Sequence, residues 1–363
     1  MKAPGFPADV RDITPALLTA VISETTPGVV VEAFEILEVK YAGEGVASTA
    51  DRVVLDLSYS AGAPAHLPTR LVLKTMLVTP HAPATMYENE VRFYAGIRGE
   101  IDIEAPRSFG SHFTSGSRGH FGLLLEDLRQ RGARFPNATQ PVTLAEIVSL
   151  LDQLAKLHAR YWCSPRFDAD LAWVPTPVRG GMADVFNDFG YDIVLSQVDQ
   201  HPFKQELIAP LGRSVAELWE MLCRVRAEQA AGPATLLHGD PHVGNTYLLP
   251  GERGGLLDWQ LLTRGCFAHD VIYLLVTGLD PATRRAHQRE LLDHYLGRLR
   301  ACGVEDPPDA DAAWLLCRKA SLWGLVIGWL ITPPANYGVS ITRENIVRTV
   351  TAVCDLDAFD AIG

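Results

Sequence analysis

The chain is short of positive charge. Lys and Arg number 32 against 43 Asp and Glu, for a formal net charge of -11. A nucleic-acid binder normally displays a basic face, so that class is set aside, although a local site for an anionic cofactor is compatible with an acidic surface. No two cysteines stand at CxxC spacing. Cys163, Cys223, Cys266, Cys302, Cys317 and Cys354 are scattered, which speaks against a disulfide framework and for reduced thiols in the cytoplasm. Long apolar runs are missing too. The most apolar stretch, Ala320 to Thr332, follows Arg318 and Lys319 and is too short to cross a bilayer. Residues 1–10 lack the basic start and apolar core of a signal peptide. Neither an internal repeat nor a low-complexity tract is visible. Together these absences predict a cytoplasmic protein with neither nucleic-acid nor membrane partners. They leave the oligomeric state open.

What is present suffices for a sizeable core, since 47% of the 363 residues are hydrophobic. The order of patterns divides the chain. Thr14-Pro15 reads as a capped helix start. Strands are predicted over Phe34 to Tyr41, over Val53 to Tyr59 with Val53, Leu55, Leu57 and Tyr59 at period two, over Arg70 to Thr75, and over Phe121 to Leu125. A helix is predicted from Met86 to Ile97. Beyond Glu126-Asp127-Leu128 the pattern becomes helical, over Leu144 to Tyr161, Val215 to Gln229, Arg284 to Arg300 and Ala312 to Ile331. The expectation is an α+β chain of two lobes: a small antiparallel-sheet lobe over residues 1–127 and a larger, mainly helical lobe over residues 128–363.

The segment that carries most chemistry is His238-Gly239-Asp240, followed by Asn245 and by Leu257-Asp258-Trp259-Gln260. Phosphoryl transfer from a nucleotide uses a carboxylate to take the proton of the attacking hydroxyl. It also uses an amide oxygen and a second carboxylate on Mg²⁺. Asp and Asn five positions apart, with a further Asp downstream, is the kinase spacing. Asp240 is therefore the candidate catalytic base, and Asn245 and Asp258 are candidate metal ligands of the hard-oxygen type that Mg²⁺ favours. Pro250-Gly251 between them predicts a turn. A kinase of this design also needs a strand lysine on the phosphates and a helix glutamate to orient it. Lys74 and Glu90 stand in those places, with Glu88 as a competitor. Gly43-Glu44-Gly45-Val46-Ala47-Ser48 occupies the place of a phosphate-covering turn, with Gly45 and Ser48 as donors.

These pieces resemble the aminoglycoside phosphotransferase and choline kinase superfamily, and most of all its ecdysteroid-kinase-like branch and related bacterial phosphotransferases. The matching segments are Leu73-Lys74, Glu90 to Tyr94, Leu124 to Leu128, Leu157-His158-Ala159, His238 to Asn245, Leu257 to Gln260 and His269-Asp270. The resemblance implies a two-lobed protein-kinase-like fold, ATP as cosubstrate with Mg²⁺, Glu126 to Leu128 against adenine, Asp240 as base, and Asn245 and Asp258 on the metal. Three departures from protein kinases point to a small-molecule kinase. His238-Gly239-Asp240 lacks the arginine that reads an activation-loop phosphate, Asp258-Trp259-Gln260 replaces Asp-Phe-Gly, and no Ala-Pro-Glu segment is evident.

Two other classes fit these residues less well. A metal-dependent phosphoesterase would need more His and Asp ligands than Gly239 to Asn245 supplies. A non-catalytic kinase-like binding protein would not need Lys74, Glu90, Asp240, Asn245 and Asp258 together. The expected partner is a small molecule bearing a hydroxyl. The aromatic content of the helical segments, including Trp162, Trp173, Phe186, Tyr191, Trp314, Trp323, Trp329 and Tyr337, suggests an apolar or steroid-like alcohol. Asp184, Asp188 and Asp192 instead suggest a cation-binding face or a solvated one.

Overall fold

The computed structural model describes residues 9–42, 49–77, 82–114 and 120–363. The chain divides into two compact units, Met1–Glu100 with Ala105–Ala133, and Ile101–Glu104 with Arg134–Gly363.

The first unit is built on one five-stranded sheet. Its strands are β1 (Val31–Lys40), β2 (Asp51–Tyr59), β3 (Arg70–Thr75), β4 (Ser108–Phe113) and β5 (Phe121–Glu126), in the order β1-β2-β3-β5-β4. Every neighbouring pair is antiparallel. The period-two pattern does what alternation requires: Val53, Leu55 and Leu57 of β2 and Leu71 and Leu73 of β3 bury one face against α1 (Pro15–Ser23) through Leu18 and Ile22. Thr14 caps that helix by accepting the Leu17 N–H. Helix α2 (Ala84–Arg92) runs into a π-helical turn, Phe93–Ile97. Strand β4 has no clear sequence signature; Gly110 and a register shift interrupt it between Ser108 and Ser111. Asp51, 2% exposed, accepts the N–H groups of Ala42 at 2.8 Å and Leu77 at 2.6 Å, tying together the chain on either side of the hairpin.

The second unit is helical apart from two small ribbons. Its helices are α3 (Leu144–Arg160), α4 (Met182–Val185), α5 (Tyr191–Gln200), α6 (Pro202–Ile208), α7 (Val215–Ala231), α8 (Ala268–Gly278), α9 (Pro281–Ala301), α10 (Ala310–Trp323), α11 (Pro334–Tyr337), α12 (Val339–Asp355) and α13 (Ala358–Ile362). Capping boxes start α3, at Thr143 with Glu146, and α7, at Ser214 with Glu217. The ribbons are β6 (Thr235–Leu237) with β9 (Thr263–Gly265), and β7 (Thr246–Leu249) with β8 (Arg253–Leu256). The core gathers Val194, Leu222, Leu322, Leu325, Val326 and Ile346. Among the described residues no helix is long and apolar enough to cross a membrane.

The helix predicted over Ala312 to Ile331 changes character midway, because α10 gives way to a π-helical segment, Gly324–Leu330. Gly324 and Gly328 allow that segment to lie on the Tyr273 ring: a Cβ at Gly328 would stand 2.4 Å from the Tyr273 hydroxyl. Its C-terminal end is held by Lys204 of α6. That side chain is fully buried and donates to the carbonyls of Leu330 at 2.9 Å and Thr332 at 2.8 Å. Burial pulls its pKa down to about 8. Between that value and the ordinary one for lysine the unfolded chain carries a proton that the folded chain has lost, so this site adds stability as pH rises through the window. In urea denaturation the native protein is expected to gain on a Lys204→Met variant as pH goes from about 8 to about 10; a difference that stays flat would refute the assignment.

Candidate active site

In the first unit, Lys74 lies on β3 between Arg52 of β2 and Leu123 of β5. Its ammonium meets Glu90 of α2 at 2.7 Å, and both side chains are withdrawn from water, at 5% and 1% exposure. Glu90 reaches the sheet because Tyr87, Glu90, Val91 and Tyr94 share the buried stripe of the helix, with Tyr87 stacked on Phe121 at 4.3 Å. Glu88 points elsewhere and pairs with Arg92 along the helix. A buried ion pair gains little net stability, so positioning of the ammonium is the better account of this one. Glu126 ends β5. Its carboxylate accepts the Arg107 N–H at 2.9 Å and a bond from Arg131 at 3.3 Å. Leu128 is buried at the start of a 3-10 turn that Asp127 caps. Gly45 and Ser48 lie outside the described residues.

In the second unit the loop after β6 is held from below by α8. Asp270, fully buried, accepts the N–H groups of His238 at 2.7 Å and Gly239 at 3.0 Å, and a third bond from His158 Nε2 at 3.1 Å. Burial pushes the Asp270 pKa up, but the bond from His158 and the surrounding imidazoles bring it net below the ordinary value. His158 in turn takes the Tyr295 hydroxyl on Nδ1 at 2.7 Å. His269 Nε2 donates to the Gly239 carbonyl at 2.9 Å. Gly239 has φ +86°, and a Cβ there would lie 1.9 Å from the Leu261 carbonyl oxygen. Only glycine fits.

The neighbouring imidazoles are neutral with defined tautomers. His238 Nδ1 accepts the Asp240 N–H at 3.3 Å, so its proton is on Nε2, which donates to the Leu257 carbonyl at 3.0 Å. Burial lowers its pKa. His242 Nδ1 accepts the Gly244 N–H at 3.1 Å, and burial pulls its pKa down to about 3. The proton of His242 is thus on Nε2, 3.9 Å from Asp240 Oδ2 and 3.4 Å from the Tyr337 hydroxyl.

Asn245 Nδ2 donates to Asp240 twice, to Oδ2 at 2.9 Å and to the main-chain oxygen at 3.0 Å. That leaves the amide oxygen as the donor atom for a cation. The β7–β8 ribbon then returns the chain: Leu257 N–H bonds the Asn245 carbonyl at 3.0 Å, and Asp258 follows at φ 68°, ψ 74°, a left-handed conformation that Asp tolerates better than most residues. Desolvation first, and the charge of Asp258 second, raise the Asp240 pKa well above the ordinary carboxylate value. Two carboxylates that oppose each other's ionisation beside an amide oxygen fit a divalent cation. Among the described residues no group of three or more His, Cys, Asp or Glu side chains forms a metal cage. Mg²⁺ needs none, because it is held by one or two carboxylates together with phosphate oxygens and water.

The chain matches the ecdysteroid kinase-like family over residues 42–304. It belongs to that family. Its fold is accordingly the protein-kinase-like α+β one, with the five-stranded sheet and two helices in one unit and the remaining helices in the other. No curated protein shows a significant match. Solved structures similar to this ecdysteroid kinase-like chain include macrolide 2'-phosphotransferase type I, at 17% identity, 87% of this chain, 91% of that one and a TM-score of 0.41. Ethanolamine kinase of Plasmodium vivax matches at 13% identity, 89% of this chain, 81% of that one and 0.47. The GDP complex of wild-type aminoglycoside 2'-phosphotransferase-IIIa matches at 13% identity, 94% of this chain, 99% of that one and 0.46.

Within this family member His269 and Asp270, a segment that matches the family, serve the loop together with Tyr273 and Thr277, which the sequence reading does not mark. His269, Asp270, Tyr273 and Thr277 fall on one face of α8, and Thr277 Oγ1 accepts the Val243 N–H at 3.1 Å. A polar stripe at helical spacing on a wholly buried helix is the signal for Tyr273 and Thr277. Arg264 donates to the Phe167 carbonyl at 2.8 Å and lies over the Phe167 ring. Of the aromatics noted in the sequence, Trp329 and Tyr337 reach the His242 ring, at 5.3 and 5.6 Å. Trp162 packs on Phe267, and Trp314 lies under the Arg289 guanidinium. Asp184, Asp188 and Asp192 are exposed. Asp270→Asn leaves at least one buried donor unmet, so the unfolding free energy should fall by about 3 kcal/mol, with faster amide exchange at His238 and Gly239. A loss under about 1 kcal/mol would contradict this reading of the carboxylate.

Proposed function

We propose that this chain transfers the γ-phosphoryl group of ATP to a hydroxyl of a small, largely apolar alcohol. The observation that carries the reading is the double hydrogen bond from Asn245 to Asp240, which holds one carboxylate in a fixed pose beside Asp258. Asp240 orients the acceptor hydroxyl and takes its proton as the new P–O bond forms and the bond to the β-phosphate breaks. Asn245 Oδ1 and Asp258 hold Mg²⁺, which when bound neutralises phosphate charge. Lys74, aimed by Glu90, contacts the nucleotide phosphates. The main chain of Glu126 to Leu128 receives the adenine, and Gly45 and Ser48 cover the phosphates. Catalysis of this kind is positioning and electrostatics.

The acceptor class rests on the surroundings of Asp240. Tyr273, Trp329, Tyr337 and the neutral His242 ring form an uncharged aromatic wall near it. Such a wall favours a neutral apolar alcohol, whereas a polycation would be better served by a ring of carboxylates. A phosphoesterase reading needs several metal ligands for two-metal hydrolysis, and among the described residues no group of three or more His, Cys, Asp or Glu side chains is placed to hold a metal.

The test is ATP consumption with Mg²⁺ over a panel of sterols, simple alcohols, choline and aminoglycosides. Turnover should depend on the acceptor and be greatest with the apolar alcohols. Asp240→Asn should lower it by about 10³ or more while leaving thermal stability near that of the native protein. Near-normal turnover by Asp240→Asn, or phosphate release without any acceptor, would overturn the proposal.

A further inference from the structure

The helical unit contains a cavity of about 450 Å³ to which the loop from His238 to Asn245 contributes no residue. That volume is ample for a small organic molecule. Its walls are Trp162 and Cys163 just after α3, Val225 and Gln229 of α7, Phe267 just before α8, and Leu316 of α10. Trp162 and Phe267 present their rings 5.8 Å apart at 39°.

Two polar features point to an occupant. Gln229 is nine-tenths buried, yet among the described residues its amide makes no side-chain hydrogen bond. Gln229 lines the cavity, so its amide is free to bond an occupant. Charge at the mouth is unbalanced as well. Glu228 and Asp306 line it against the single cation Lys319, which is already taken by Glu228 at 2.7 Å. Asp306 has no ion pair among the described residues.

We infer that this cavity is a binding site for a small aromatic amine. The ring system lies against Trp162 and Phe267, with Val225 and Leu316 supplying further apolar wall. The ammonium is drawn to Asp306 and to the ring faces, and a ring N–H or hydroxyl bonds to Gln229. None of these residues takes part in the proposed phosphoryl transfer, so the site stands or falls independently of that function.

Tryptamine is a suitable probe. Cys163 is exposed at the cavity, whereas the exposed Cys302 and Cys354 lie away from it. Alkylation by iodoacetamide, followed peptide by peptide, should slow saturably at Cys163 as tryptamine is added and stay unchanged at Cys302 and Cys354. Asp306→Asn should weaken tryptamine about threefold, as for an exposed charge pair, and leave its neutral analogue indole-3-ethanol unaffected. Leu316→Trp should fill the space and abolish protection. Equal slowing at all three cysteines, or protection that survives Leu316→Trp, would overturn the site. Indole-3-ethanol binding as tightly as tryptamine would overturn the amine assignment. Titration calorimetry of tryptamine into the native chain gives a check that needs no variant, and absence of saturable heat would overturn the proposal.

Discussion

One buried carboxylate organises the helical unit around its loop. Asp270 stands on α8 and receives three donors, two of them consecutive main-chain N–H groups. Consecutive N–H groups can converge on one carboxylate only if the backbone turns sharply between them, and the positive φ of Gly239 provides that turn. The position of Asp240 then follows from Asp270. An ion buried in this way is costly unless it is well hydrogen-bonded, and the His158 bond, backed by the Tyr295 hydroxyl, supplies the third donor. The carboxylate and the turn therefore depend on one another.

Burial also sets the protonation states that the geometry requires. His238, His242 and His269 are all pushed toward the neutral form by desolvation. Only a neutral imidazole can accept a main-chain N–H on one nitrogen and donate from the other, which is what His238 does between Asp240 and Leu257. Asp240 is pushed the same way, its pKa raised by desolvation first and by the charge of Asp258 second.

How much of this was readable beforehand can be judged from particular residues. The apolar run in Arg70 to Thr75 marks strand β3, and the strand has those bounds, with Leu71 and Leu73 buried. Lys74 with Glu90, and Asp240 with Asn245, were paired on chain order and spacing, and the structure brings each pair into contact. Strand β4 was invisible, since Ser108 to Phe113 has neither clean alternation nor a run of β-branched residues and joins the sheet by pairing with β5. The break between α10 and the π-helical segment was equally invisible: Ala312 to Ile331 carries helical periodicity throughout, and the ring that Gly324 and Gly328 lie against is that of Tyr273, some fifty positions earlier.

Alone, the sequence determined the things that depend on local pattern and fixed spacing. These are the strand-rich beginning and helix-rich remainder, the residue types available for phosphoryl transfer, and the family they resemble. Tertiary structure decided what depends on approach between distant segments. It selected Glu90 over Glu88 for Lys74, since only one lies on the buried stripe of α2. It turned His158 from an ordinary helix residue into a donor to Asp270, and it drew Trp329 and Tyr337 to the His242 ring while leaving Trp314 on the surface side with Arg289. Spacing along the chain is set by covalent geometry and can be read in advance. Which faces meet is settled by packing and by the need to satisfy each buried polar group, and those constraints act only once the chain has closed on itself.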